Sequence, residues 1–165
     1  MISSAMLKKL SYRPCVGAMV FNAGGKVWVG RRSDVESDEN AWQMPQGGID
    51  EGETPYEAVI RECGEEMGTN NVELLAESSA WYTYDLPAEL IGSVWKGKFR
   101  GQKQRWFALR FLGHENEIDI HTTKHSEFSD WRWADIEEIP NLIIAFKRPV
   151  YERVVEEFRP WAGTI

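Results

Sequence analysis

The stretch GGIDEGETPYEAVIRECGEEMGTN, residues 47–70, carries six glutamates, four of which (Glu57, Glu62, Glu65, Glu66) fall in what reads as one short helix. Its boundaries are written in the chain. Thr54 suits a helix N-cap, Pro55 the first helical position, and Glu57 closes a Thr-x-x-Glu capping box. Gly68 follows the last periodic residue and suits the left-handed C-cap. Tyr56, Val59, Ile60, Cys63 and Met67 recur at three- and four-residue spacing and form the expected buried face. Glu62, Glu65 and Glu66 then fall within about 100° of one another on a neighbouring face. Like charges so spaced repel by about 0.2–0.5 kcal/mol per pair, so a purely structural helix has little reason to keep them. Two readings follow: an acidic solvated face, or carboxylates sharing a hard divalent cation such as Mg²⁺, which takes oxygen ligands and bridges to phosphates. The adjoining Gly47 and Gly48 let backbone approach a ligand without side-chain obstruction, which favours the second.

Outward from this helix the chain reads as mixed α/β. Residues 15–32, CVGAMVFNAGGKVWVGRR, are two apolar runs about a turn at residues 22–25, where Gly24 and Gly25 can take positive φ. WQMPQGG is a short strand-like piece, and the sequences VELLAESSAWYTYDLP and QRWFALRFLG read as strands separated by a basic loop. RPVYERVVEEF places Val150, Val154 and Phe158 four apart, as a helix packed on one side requires.

The chain has 165 residues, 42% of them hydrophobic, enough for one core. The expected organisation is a lead-in over residues 1–11, a single domain over 12–160 and a tail over 161–165. No run approaches the roughly 20 apolar residues that span a bilayer. Two cysteines, Cys15 and Cys63, make no disulfide framework, so a cytoplasmic location is expected. The net charge of −7 disfavours broad binding to a DNA duplex or an anionic membrane. It leaves room for a small anion or a nucleic-acid end where positive charge is concentrated. Arg31 with Arg32 is one such place, and Lys96, Lys98, Arg100, Lys103 and Arg105, with no acid among them, form another.

The spacing Gly47, five residues, Glu53, seven residues, Arg61, Glu62, Cys63, Gly64, Glu65, Glu66, Met67, Gly68 resembles the Nudix box. Cys63 and Thr69 stand where bulkier aliphatics are usual, which concerns packing and not the carboxylates. YRPCVG, GQKQRWF, SEFSDWRW and FKRPVYERV extend the resemblance over about residues 12–158, toward bacterial RNA pyrophosphohydrolases and the similar dinucleoside polyphosphate hydrolases. The resemblance implies an α/β/α sandwich with a mixed sheet between helices. It implies two or more Mg²⁺ ions (Mn²⁺ or Zn²⁺ as alternatives) held by Glu62, Glu65, Glu66, the Gly47 carbonyl and a remote Glu127. It casts Glu66 or Glu127 as the base and Arg61 as a partner of the box carboxylates, with a plain pair to Glu65 as the simpler reading. Glu53, Gly48 and Gly68 become structural supports. Arg13, Arg32 and Lys147 would meet phosphate, Phe146 would stack on the terminal base, and Tyr84 would line the same pocket. Arg31 points to the other strand face and ranks below Arg32. The implied reaction is removal of pyrophosphate from a triphosphorylated RNA 5' end. The alternatives are cleavage of dinucleoside tetra- or pentaphosphates, and a non-catalytic nucleotide-binding module, against which the intact carboxylates argue.

Overall fold

The computed structural model describes residues 6, 9–36, 39–123 and 126–163, so most of the expected lead-in and the end of the tail lie outside the described residues. The chain order is β1 (Ser11–Phe21), β2 (Val27–Arg32), β3 (Trp42–Gln43), β4 (Gln46–Gly48), α1 (Pro55–Met67), β5 (Val72–Glu77) and β6 (Tyr82–Asp85). There follow α2 (Ala88–Ile91), β7 (Phe99–Phe111), β8 (Phe128–Ala134), α3 (Ile139–Leu142) and α4 (Arg148–Ala162). The strands form one mixed eight-stranded sheet, as the sequence led us to expect. Its spine is the parallel pair β1–β7, with Arg13 opposite Gln102, Cys15 opposite Gln104 and Gly17 opposite Trp106. The other edge of β1 is shared, by β2 at Phe21 and by the short β4 at Cys15, Val16 and Gly17.

Alternation along the spine makes two cores, one on each face. Val16, Ala18, Val20, Phe107 and Leu109 meet Ala58, Val59, Cys63 and Met67 of α1. Met19, Phe21, Trp106 and Ala108 meet Val150, Tyr151, Val154, Val155 and Phe158 of α4. The sheet is therefore sandwiched between the two long helices. Gly17 is required by this packing: a β-carbon there would lie 2.6 Å from the Trp106 ring. That indole is buried and donates to Gln104 Oε1 at 3.0 Å, so it cannot step aside cheaply.

Local signals hold where they are short-range. Thr54 caps α1 with the full box, and Gly68 takes the left-handed C-cap at φ 79°. The β1–β2 turn uses positive φ at Gly25, whereas Gly24 does not; Asn22 Oδ1 accepts from Gly24 N and Lys26 N instead. Three expectations fail. Tyr56 is exposed, only tilting against Phe107, while Glu62 and Glu66 are buried beside the apolar stripe. The expected long strand at residues 72–87 is two strands, β5 and β6, with different stretches of β7 as partners. The basic loop is mostly strand, since β7 already begins at Phe99.

Gly17→Ala should lower stability by about 1–3 kcal/mol, the usual cost of overpacking a filled core. Gly64→Ala, on α1 with nothing within 4 Å of the new methyl, should gain up to about 1 kcal/mol. Urea denaturation checks both through the midpoint at unchanged m. A Gly17→Ala protein as stable as the parent would contradict the packing described.

Candidate active site

Arg61 organises the box. Its Nε and Nη2 grip Glu53 at 2.8 and 3.0 Å, its Nη2 also donates to the Gly48 carbonyl at 2.8 Å, and its Nη1 reaches Glu62 Oε1 at 2.8 Å. The pair with Glu65 is looser, at 3.4 Å, so the simple helical pairing is among its weaker contacts. Glu53 is fixed in turn by Asp50 N at 2.9 Å, and the Arg61 bond holds its carboxyl down to about 2. A planar fork joins the helix to the glycine loop. Gly47 must be glycine here because a β-carbon would stand 2.2 Å from the Glu62 carboxylate.

The carboxylates beside that clamp are crowded. Burial, countered by Arg61 and aided by the Glu65 and Glu127 charges, pushes Glu62 up to about 7. Burial followed by the Glu127 and Glu62 charges pushes Glu66 well above the usual carboxylate range. Glu66 Oε2 accepts from Gln46 N at 2.9 Å, while its Oε1 is buried without a partner. Glu127 is itself exposed, and its backbone is locked by Ser33, whose N and Oγ donate to its carbonyl at 2.8 and 3.1 Å. The structure thus brings the remote Glu127 to the box carboxylates, 61 residues on from Glu66 in the chain.

Hard-cation binding fits these residues. An orphaned carboxylate oxygen, repelling anions and an unobstructed glycine backbone all gain from a divalent charge. Among the described residues no three His, Cys, Asp or Glu side chains converge as a closed ligand set. Glu62 is instead turned to Arg61, and Glu65 remains half-exposed.

A cavity of about 430 Å³ runs from Gly47, Glu62, Glu65 and Glu127 to Arg13, Arg32, Tyr84, Phe146 and Lys147, so the expected substrate-contacting residues all line it. Tyr84 is buried, its ring 5.7 Å from that of Phe146, and Lys147 Nζ stands 5.6 Å from the Tyr84 ring. Burial and then the Arg32 charge lower Lys147 to about 8, leaving it mostly cationic at neutral pH. Arg32 is bridled by Asp34, which its Nε and Nη2 reach at 3.0 and 2.7 Å. Arg31 turns elsewhere, to Ser129 Oγ and the Glu36 carbonyl.

Sequence reasoning missed the amides. Gln46 and Gln102 line the cavity, and Gln104 donates to Gln102 at 2.7 Å. Strand alternation through GQKQR was the available signal: it puts Gln102 and Gln104 on one face and sends Lys103 and Arg105 to the other. None of the five basic residues lines the cavity. Arg100 pairs with Asp85, Arg105 with Glu77, and Lys103 lies over Trp81.

The raised carboxyls carry a pH signature. A folded-state pKa above the ordinary 4.5 gives stability that is full below 4.5 and is lost as pH rises, through about 7 for Glu62. Glu53 acts oppositely, its contribution vanishing as pH falls from 4.5 toward 2. In EDTA the melting temperature should therefore fall from pH 5 to pH 8, saturating Mg²⁺ should abolish that fall, and Glu66→Gln should flatten it. A flat profile in EDTA would contradict the buried-anion description.

Comparison with known proteins places the chain in a family. The NUDIX domain model matches residues 11–154. An RNA pyrophosphohydrolase of Sphingopyxis alaskensis is 54% identical over 154 residues, covering 92% of this chain and 96% of that one. One of Agrobacterium fabrum is 56% identical over 162 residues, covering 93% and 95%. Among solved structures, a C. elegans Ap4A hydrolase complex superposes with TM-score 0.65 at 16% identity, over 93% of this chain and 99% of that one. The E. coli dihydroneopterin triphosphate pyrophosphohydrolase gives 0.64 at 19%, over 89% and 99%. At such identities the structural likeness concerns the fold alone. With most of its length matched by the family model and two relatives above half identity, the chain belongs to the Nudix family.

Proposed function

We propose that this protein hydrolyses the 5'-triphosphate of RNA, releasing pyrophosphate and leaving a 5'-monophosphate end. One observation carries the reaction class: a single cavity joins the carboxylates Glu62, Glu65 and Glu127 to the cations Arg13 and Lys147 and to the aromatic rings of Tyr84 and Phe146. A polyphosphate flanked by a nucleobase needs those three chemistries in that succession. RNA is favoured because the near-full-length relatives bear that activity in their names.

In this reading Glu62, Glu65, Glu66, Glu127 and the Gly47 carbonyl hold Mg²⁺; the oxygen-only set suits Mg²⁺ better than Zn²⁺, with Mn²⁺ a substitute. When bound, the ions polarise phosphoryl oxygens and lower the pKa of water. The protein's own groups do the rest. The oxygen of water forms a bond to phosphorus, a P–O bond to the departing pyrophosphate breaks, and the water's proton passes to Glu66 or Glu127. Arg13, Arg32 and Lys147 offset charge on the non-bridging oxygens. Arg61 positions the carboxylates and touches no substrate. Phe146 offers its ring to the terminal base. Buried, unpaired Cys15 and Cys63 accord with a cytoplasmic setting, and none of the described helices is long and apolar enough to cross a membrane.

The test is kcat/KM for a triphosphorylated RNA oligonucleotide and for a dinucleoside tetraphosphate in one Mg²⁺ buffer, with products resolved. The RNA should win. A tetraphosphate preference above about tenfold, or roughly 1.4 kcal/mol of transition-state discrimination, would transfer the assignment to dinucleoside polyphosphates. Turnover of neither would favour a binding module. Glu66→Gln should lose at least two decades of kcat, and Glu127→Gln should lose turnover with an altered pH profile.

A further inference from the structure

Arg13 stands out among the arginines in and beside the cavity in how its charge is held. Arg32 is paired with Asp34, and Arg61 with Glu53 and Glu62. Among the described residues no carboxylate pairs with Arg13. Its guanidinium lies 5.5 Å from the centre of the Trp95 ring, its Nη1 donates to Cys15 Sγ at 3.7 Å, and a β-carbon on Gly48 would sit 2.4 Å from its Nη2. The same cavity contains Glu62, Glu65 and Glu127. A long arginine stem would be drawn toward such anions unless something else held it.

The chain adopts a costly backbone to supply that hold. Trp95, Lys96 and Gly97 are consecutive left-handed residues, at φ 49°, 58° and 72°, and two of them carry side chains that disfavour it. The turn is fastened by Gly97 N to the Val94 carbonyl at 3.0 Å and Lys98 N to the Trp95 carbonyl at 3.2 Å. Phe99 braces the indole edge-on at 6.2 Å. Local strain of this kind persists where surrounding contacts fix it, and it gathers at functional sites. Here the product is an indole placed against a cation.

We propose that Trp95 is a positioning residue, holding Arg13 by a cation–π contact that fixes the guanidinium without neutralising it, so that its full charge meets substrate phosphate. A carboxylate partner would fix the side chain equally well and cancel the charge; an aromatic partner does only the first. This inference rests on Arg13 being a phosphate-binding group, as read above.

The experiment uses the full chain and inorganic tripolyphosphate as probe, with affinity measured by calorimetry in Mg²⁺ buffer. Trp95→Leu should weaken binding at least fivefold, Trp95→Phe should stay within twofold, and Trp95→Leu should add less than 1.5-fold in an Arg13→Gln background. The Arg13 Nε–H resonance, assigned by its loss in Arg13→Gln, should move in Trp95→Leu as the ring current disappears. Trp95→Met replaces Trp95→Leu if the latter fails to fold, with the same expectation. Unchanged affinity, equal weakening in both backgrounds, an unmoved resonance, or no binding of tripolyphosphate by the parent would each overturn the proposal. A parent that binds tripolyphosphate with this pattern but turns over neither nucleotide substrate would instead refute the proposed reaction alone.

Discussion

The Arg61 guanidinium is the constraint from which the site follows. It stands on α1, yet its strongest contacts are to the loop before that helix: Glu53 through two bonds and the Gly48 carbonyl through one. With Glu62 on the remaining arm, the helix, the glycine turn and the first carboxylate become a single rigid unit. Gly47 and Gly48 allow the close approach, since side chains there would strike Glu62 and Arg13 respectively. A lysine could supply the charge but not three directed arms.

The clamp opposes a substantial electrostatic cost. Removing a carboxylate from water costs several kcal/mol even after relaxation, and Glu62 and Glu66 are both buried with Glu127 close by. The apolar stripe of Ala58, Val59, Cys63 and Met67, seated on β1 and β7, holds the backbone against that repulsion. Cys63, small where a larger aliphatic is usual, is fully buried and fills its place without exposing the sheet. Stability is thus spent on crowded buried carboxyls, which the proposed divalent cation would relieve. The second core, under α4, positions the other end of the cavity, because Phe146 and Lys147 lie in the turn that leads directly into that helix.

Much of this was legible in the chain, for identifiable reasons. Caps and turns depend on neighbours three or four residues away, so Thr54, Glu57 and Gly68 could be read individually. The box spacing marked Glu62, Glu65, Glu66 and Arg61, and its longer resemblance reached Glu127, whose turn has no chemical signature of its own. What could not be read locally depends on register. Arg100 and Arg105 find Asp85 and Glu77 only because β6 and β5 pair with β7, so five uninterrupted positive charges do not make a free basic loop. Strand pairing also decides that Gln102, facing Arg13, enters the cavity while Lys103 leaves it. Tyr56 fits the helical period but stands in the first turn, where its ring tilts against Phe107 and stays exposed. The true partners of Arg61 were hidden too, since periodicity knows Glu65 four residues on and not the carbonyl of Gly48.

In the proposed reaction Arg61 sets the carboxylates for a divalent cation through its fork and not merely through its charge. Mn²⁺ affinity of Arg61→Lys against the parent, measured by electron paramagnetic resonance, tests it most directly. Supporting groups around a metal site typically govern affinity by about 10–100-fold, and a loss of at least tenfold is expected here with the fold retained. A folded Arg61→Lys protein that binds Mn²⁺ as tightly as the parent would contradict the account.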